Sequence, residues 1–291
     1  MLPESYQKHL LFGAILFIFS MLLYGSVIEP NRVIVKNVTI EDDALFDSWG
    51  GITILQLSDL HITRIGEREK AVIRKVAAVS PDVVCITGDL AQWDCSTSEA
   101  TRFLKALKAC YGVFVVLGDS DMSTGRLRCF FCHQDGNIHS FRKAPTFLRN
   151  NQIMLKIKNG KILRLVGISP DLKEGEFYAF WNNIVKSNLR YDPILVLSHF
   201  SSLWKLVPNA EHVLWLSGDT HGGQVWLPQF LWPLVFRGKD YEHLRGLFHS
   251  GKGKWLYVNQ GLGTTREFPL RIGVPPEITV ITFRPGKIKR P

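Results

Sequence analysis

Short runs of β-branched and aliphatic residues recur along this chain, each ending in Gly, Ser, Asp or His. They read ITILQLSDLH from Ile52, DVVCITGD from Asp82, VFVVLGD from Val113, ILVLSH from Ile194 and VLWLSGDTH from Val213. Runs of this length and composition, bounded by turn residues, read as buried strands. The pattern predicts strands at Val33–Ile40, Gly51–Leu57, Val83–Thr87, Val113–Leu117, Ile194–Leu197, Val213–Leu216, Trp255–Val258 and Ile278–Phe283. Ile153–Ile157 and Lys161–Val166 flank Asn159-Gly160, a dipeptide that favours the tight turn matching strand twist, and predict a hairpin. Ala71, Ile73, Val76 and Ala77 recur at helical spacing and predict a helix over Glu67–Val79, stopped by Pro81. Further helices are predicted from about Ser98 to Ala109 and over Phe177–Asn188. Strands alternating with helices imply a layered α/β fold. Met122–Asn151 has no clean period and many basic residues, and reads as an insertion or lid.

One stretch departs from this rhythm. Leu10 to Ile28 contains no charged residue, and about 20 apolar residues suffice to cross a bilayer. It exceeds the 7–15 residue apolar core of a signal peptide, so residues 1–30 are expected to be an uncleaved single-pass anchor and 31–291 one domain. Lys8 lies before the stretch and Arg32 and Lys36 after it, which leans the domain toward the cytoplasmic side of a bacterial inner membrane. Five cysteines, an odd number without dense spacing, lean the same way.

The 291 residues carry 35 Lys+Arg against 26 Asp+Glu, a net +9. Such a balance suits an anionic membrane surface or a phosphorylated substrate. No RNP, zinc-finger or helix-turn-helix pattern is present, so nucleic acid is not an expected partner. Cys129-Phe-Phe-Cys132-His133 matches the C-x-x-C-H of haem attachment. It is short and sits in a basic, turn-rich stretch, where thiols with a local packing role or a paired-cysteine site fit as well.

The polar residues closing the strand-like runs carry the chemistry. Asp59 and His61, Asp89, Asp119, His199, and Asp219 and His221 are all metal-ligand types, and open α/β sheets place ligands at the carboxyl ends of strands. Seven such side chains cannot crowd one ion. They can surround two, the arrangement that clamps both oxygens of a phosphoryl transfer.

In order, SDLH (Asp59, His61), GD (Gly88, Asp89), GDSD (Gly118 to Asp121), SH (Ser198, His199) and GDTHGG (Gly218 to Gly223) resemble the signature of the calcineurin-like metallophosphoesterases. NQGLGTTREFPLRIGVPPEITVITF, near the end, resembles their membrane-anchored branch. The resemblance implies a four-layer fold, a two-sheet β-sandwich flanked by helices. It also implies a dinuclear site in which Asp59, His61 and His221 hold one ion, Asp89 bridges, and Asp119, His199 and Asp219 hold the other. Asp89, Asp119 and Ser120 occupy its catalytic positions. Three departures stand out: Asp119 replaces the family's Asn, Asp219 replaces a His, and Ser120 replaces the His that assists the leaving group. Four carboxylates and three imidazoles favour harder ions, manganese first and magnesium next. Loss of a general acid costs most with basic leaving groups, so pyrophosphate cleavage fits better than monoester cleavage. His133 or His139 are alternative sources of that proton.

After His221 the chain turns greasy, with Trp226, Phe230, Trp232 and Phe236 close to basic residues. Core packing and an acyl-chain groove or bilayer-contacting patch are both compatible with this. The membrane-anchored branch implies a lipid-linked nucleotide sugar as substrate, UDP-2,3-diacylglucosamine cleaved to UMP and 2,3-diacylglucosamine 1-phosphate in lipid A synthesis. Arg126, Arg128, Arg142 and Lys143 are then candidates for its phosphates, with Trp226 and Trp232 for its acyl chains. A phosphodiesterase or phosphatase of another phospholipid or nucleotide, and a membrane-tethered protein with a spent metal site, are the alternatives.

Overall fold

A computed structural model describes residues 3–92, 97–122, 145–187, 192–208, 212–235, 242–251 and 253–286. In chain order the strands are Ile34–Glu41 (β1), Ile54–Leu57 (β2), Val83–Thr87 (β3), Gly112–Val116 (β4), Thr146–Phe147 (β5), Asn151–Lys156 (β6), Ile162–Ile168 (β7), Ile194–Ser198 (β8), Val213–Ser217 (β9), Gly246–His249 (β10), Lys254–Val258 (β11) and Glu277–Arg284 (β12). They form two 6-stranded sheets, ordered β1-β12-β2-β3-β4-β5 and β10-β11-β9-β8-β7-β6. Both are mixed. β2, β3, β4 and β5 run parallel in the first, and β7, β8, β9 and β11 in the second.

Every residue of β2, β3, β4, β8 and β9 is buried, as expected of parallel strands covered on both faces. Alternation decides which layer each side chain joins. Ile54, Val83, Cys85, Phe114 and Val116 point inward from the first sheet and meet Leu165, Leu195, Leu197, Leu214 and Leu216 from the second. Leu55, Val84, Ile86 and Val115 point outward and pack beneath helices Glu67–Val79 and Thr97–Ala106, which contribute Val72, Val76, Phe103 and Leu104. On the far side, Val166, Val196 and Trp215 receive Phe177, Trp181 and Ile184 of helix Glu174–Lys186. The layers are therefore helix, sheet, sheet, helix, as the family resemblance implied.

Several local expectations change. The 157–161 loop holds a 3-10 turn at Lys158–Gly160 in place of the tight Asn-Gly turn, with Ile157 N–H donating to Lys161 O at 2.9 Å. The Gly51–Leu57 run is strand only from Ile54, because helix Asp43–Trp49, capped by Asp42, ends just before it. The third helix begins at Glu174, three residues earlier than its apolar spacing suggests, because Glu176 accepts from the Lys173 N–H at 3.4 Å. Most of the Met122–Asn151 insertion lies outside the described residues.

The apolar N-terminal stretch is a helix over Glu4–Leu23 that continues as a π-turn through Tyr24–Ile28. Residues Ser5–Asn31 are long and apolar enough to cross a membrane, and only the foot of the helix is buried against the domain. Phe114 lies fully buried between the sheets. Phe114→Ala should cost about 3–5 kcal/mol, read as a lower midpoint in thermal or denaturant unfolding, and an unchanged midpoint would contradict this placement.

Candidate metal centre

The parallel strands bring the polar run-ends to one rim. Leu57 pairs with Ile86 and Thr87 with Val116, so Asp59, Asp89 and Asp119 leave three adjacent strands at one level. β8 and β9 bring His199, and then Asp219 and His221, to the same rim from the other sheet. The loops are laced together: Asp59 N–H donates to Gly88 O at 3.1 Å, His61 N–H to Asp89 O at 2.9 Å and Gly218 N–H to His199 O at 3.0 Å. Beneath them Gln56 spans the sandwich, its Nε2 donating to Thr87 Oγ1 at 3.0 Å and to Ser217 O at 2.9 Å.

Asp59 (φ 48°), His61 (41°), Asp89 (53°), Asp219 (70°) and His221 (51°) all adopt left-handed backbone. L-residues disfavour that region by about 1–2 kcal/mol each, and such strain gathers at functional sites. Gly218 admits the close approach of the two half-sites, since a Cβ there would overlap Ser58 Oγ and Asp59 Oδ2.

The side chains converge into two groups of ion-holding size that share Asp89. One comprises Asp59, His61, Asp89 and His221, the other Asp89, Asp119 and His199. His61 Nε2 lies 3.1 Å from His221 Nε2 and 3.2 Å from Asp89 Oδ2. His199 Nε2 lies 3.2 Å from Asp119 Oδ1, 3.6 Å from Asp89 Oδ1 and 3.8 Å from Asp219 Oδ1. Asp219 thus faces His199 but stands outside both compact groups, while its N–H donates to Asp59 Oδ1 at 3.0 Å.

Partners that sequence reasoning missed orient the imidazoles. His61 Nδ1 meets Gln92 Oε1 at 2.8 Å, His199 Nδ1 meets Thr87 O at 2.8 Å, and His221 Nδ1 meets Gly263 O at 3.4 Å. Each partner atom is an acceptor, so Nδ1 carries the proton and Nε2 turns its lone pair toward the centre, as in metal-ligating histidines. Gln92, three residues beyond Asp89, left no distinct mark in the sequence. Asp121 is a second omission. Buried, it accepts from the N–H groups of Gly118 at 3.0 Å and Leu90 at 3.0 Å and fixes the GDSD turn. Ser120 donates through its N–H to Asp89 Oδ1 at 3.1 Å and through its hydroxyl to Asp89 Oδ2 at 2.9 Å.

The protonation balance reflects the crowding. Burial drives the Asp59 carboxyl above its usual range, with His199 only partly offsetting it. Burial acts the same way on Asp89, but His199 and His61 overcome it and hold that carboxyl low. Burial pulls His199 and His61 down, yet the surrounding carboxylates, Asp89 foremost, carry both above the ordinary imidazole value. Burial, His61 and Arg271 press His221 well below it.

These residues fit divalent cations. Asp59 Oδ2 and His199 Nε2 are buried with no hydrogen-bond partner among the described residues, and His61 and His221 point ring nitrogens at one another. Buried polar atoms normally find partners, and a cation in each group would satisfy all four. Beside the centre a cleft of about 350 Å³ is lined by Asp219, His221, Leu227, Val235, Thr265 and Phe268.

Arg126, Arg128, Arg142 and Lys143 lie outside the described residues, as do Cys129, Cys132, His133, His139 and Phe236. Trp226 and Phe230 are exposed and do not belong to the core. Trp232 is half-buried, donating through Nε1 to Leu227 O at 3.0 Å beneath the Arg245 guanidinium.

Residues 52–238 match the family model described as calcineurin-like phosphoesterase. The chain is 27% identical over 268 residues to an uncharacterized metallophosphoesterase, YkuE, of Bacillus subtilis, covering 90% of this chain and 89% of that protein. It is 26% identical over 316 residues to the UDP-2,3-diacylglucosamine pyrophosphatase LpxG of Chlamydia muridarum, covering 89% and 92%. Its identity to LpxG of Chlamydia trachomatis is 27% over 306 residues, with 89% and 92% covered.

Outer partners of metal-bound histidines typically contribute 10–100-fold in affinity. Gln92→Leu should therefore weaken manganese binding by about that factor in calorimetric titration, and equal affinity would refute the orienting role. Chelation should lower the thermal midpoint of the wild-type protein, because ions bound only by the folded chain stabilise it.

Proposed function

Because the chain belongs to the calcineurin-like phosphoesterase family, we propose that it is a manganese-dependent pyrophosphohydrolase of a lipid-linked nucleotide sugar, with UDP-2,3-diacylglucosamine the leading substrate. The products are then UMP and 2,3-diacylglucosamine 1-phosphate, as in lipid A synthesis. The observation that carries the hydrolytic reading is the pair of ligand groups sharing Asp89 at the strand ends. Likeness to two enzymes named for this substrate favours the specific assignment, and the apolar cleft and N-terminal helix fit its acyl chains. In this reading the helix crosses the bacterial inner membrane once and the domain faces the cytoplasm.

In the proposed site Asp59, His61 and His221 hold one ion, Asp119, His199 and Asp219 the other, and Asp89 lies between. Two such cations activate water and offset charge on phosphoryl oxygens. The four carboxylates balance two divalent charges and favour manganese or magnesium. The chain's own contribution is orientation. Gln92, Thr87 O and Gly263 O hold each imidazole with Nε2 inward, and Ser120 grips both oxygens of Asp89.

Occupied in this way, the Ser120 hydroxyl is a poor proton source for a departing oxygen. General acid help is worth about 10²–10⁴ in rate, so the site suits a leaving group that departs as an anion. A pyrophosphate supplies one when a nucleoside monophosphate or a sugar phosphate leaves. An alkyl monoester does not.

Detergent-solubilised protein with manganese should convert UDP-2,3-diacylglucosamine to UMP and the lipid phosphate, followed by mass spectrometry, with little turnover of aryl monoesters or diesters. Preferential hydrolysis of a simple diester would sink the substrate assignment. Asp89→Asn should reduce all turnover to background, and a retained rate would remove Asp89 from the shared position. Ser120→His should raise monoester turnover by up to about 10²-fold if the missing acid is what limits it.

A further inference from the structure

We propose that the surface carrying Trp226, Phe230, Leu234, Val235 and Phe268 sits in the interfacial layer of a lipid bilayer, so that the cleft beside His221 opens directly toward lipid. The inference rests on the reading of the N-terminal helix as a membrane span, and adds a second, separate contact between domain and membrane.

Its first support is the foot of the helix. Gly25 is buried so tightly that a Cβ would lie 2.7 Å from Leu270 Cδ1 and 2.8 Å from Ile272 Cγ1. Arg271 N–H donates to Gly25 O at 2.9 Å, and Gly273 N–H to the buried Glu29 carboxylate at 2.8 Å. The helix is thus clamped to loop 270–273 and has no free hinge at this level. Its apolar stretch ends at Ile28, immediately before Glu29. The edge of the hydrocarbon must therefore pass near the level of loop 270–273.

The patch begins at that loop. Trp226 N–H donates to Ile272 O at 2.7 Å, and the ideal Cβ of Gly273 would touch Trp226 Cβ at 2.8 Å. Phe268 stands two residues before Leu270, whose N–H bonds its carbonyl at 2.8 Å. The patch residues are open to solvent: Trp226 is 57% exposed, Phe230 77%, Leu234 71%, Val235 58% and Phe268 44%. Large contiguous apolar patches on soluble proteins mark interaction sites, and tryptophan favours the membrane–water boundary.

The charge-free stretch from Leu10 to Ile28 measures about 28 Å at 1.5 Å per residue, close to the thickness of the hydrocarbon layer, about 30 Å. Glu29, which follows that stretch and accepts from Gly273 N–H, then lies in the headgroup layer, where amphipathic aromatic side chains settle. Val235 and Phe268 line the cleft as well as the patch, and the cleft ends at Asp219 and His221. An acyl chain can then enter the cleft without crossing water, while the phosphates it carries meet the polar end.

Full-length protein in phosphatidylethanolamine–phosphatidylglycerol vesicles tests this, with a photocrosslinking phenylalanine analogue placed singly at Phe230, Leu234, Phe17, Met154 or Tyr178. Met154 and Tyr178 are exposed apolar positions elsewhere on the domain. Lipid adducts at Phe230 and Leu234 should match those at Phe17 and exceed those at Met154 and Tyr178 several-fold. Adducts at Phe17 alone would overturn the seating while leaving the membrane span intact. Adducts at none of the three would overturn the span, and the seating with it. The readout needs no turnover, so it stands or falls separately from the substrate assignment.

Discussion

Everything at the rim of this sandwich is shaped by one electrostatic problem. Carboxylates and imidazoles are crowded into a largely buried space, where burial pushes the Asp59 carboxyl up while His199 and His61 hold Asp89 down. An unpaired buried charge costs several kcal/mol, and five of the residues involved sit in left-handed backbone besides. Such an arrangement persists only where surrounding structure over-determines it. Here the backbone lacing of the rim loops and the Gln56 bridge between sheets supply that determination. Divalent cations would partner the buried Asp59 Oδ2 and His199 Nε2, which have no hydrogen-bond partner among the described residues.

Neither sheet holds the centre alone. The first contributes Asp59, His61, Asp89 and Asp119, and the second His199, Asp219 and His221. The two ligand groups exist only when the inner faces have closed on Phe114, Leu165, Leu197 and Leu216. Packing of an apolar core is therefore the positioning step of the chemistry.

The strands that hold the site were legible because burial on both faces leaves continuous apolar runs, and these end where the chain turns polar. Val83–Thr87 and Glu67–Val79 were read with their observed bounds. What escaped was short or lacked a period. Helix Asp43–Trp49 is a brief turn set by the Asp42 cap, and Gly246–His249 alternates half-buried and exposed residues at a sheet edge, with no buried position to mark it. In the site, the ligand-type residues were visible because Asp and His at strand ends are conspicuous in number. The groups that aim them were not. Thr87 and Gly263 act through backbone carbonyls, which carry no side-chain signature, and Gln92 is one amide among many. Trp226 and Phe230 could not be told from core by composition, since apolar character does not say which way a side chain faces.

The segment from Gln260 to Val274 joins three features that the sequence keeps far apart. Gly263 N–H donates to Asp59 O, and Gly263 O receives both His221 Nδ1 and Arg271 Nε. Arg271 is fully buried and also donates to Val274 O at 3.0 Å and Gln260 O at 2.9 Å, while its own N–H holds the helix foot at Gly25. Burial, and then Arg68, draw its guanidinium down to about 9, so it stays cationic at neutral pH. A lysine could not replace it, because only a planar fork reaches three carbonyls in fixed directions. The same residue that shapes the carbonyl behind His221 thus fixes where the apolar helix leaves the domain. Its guanidinium fixes the Gly263 carbonyl behind His221 and its backbone N–H holds Gly25 O, so the metal site and the foot of the helix meet at one residue.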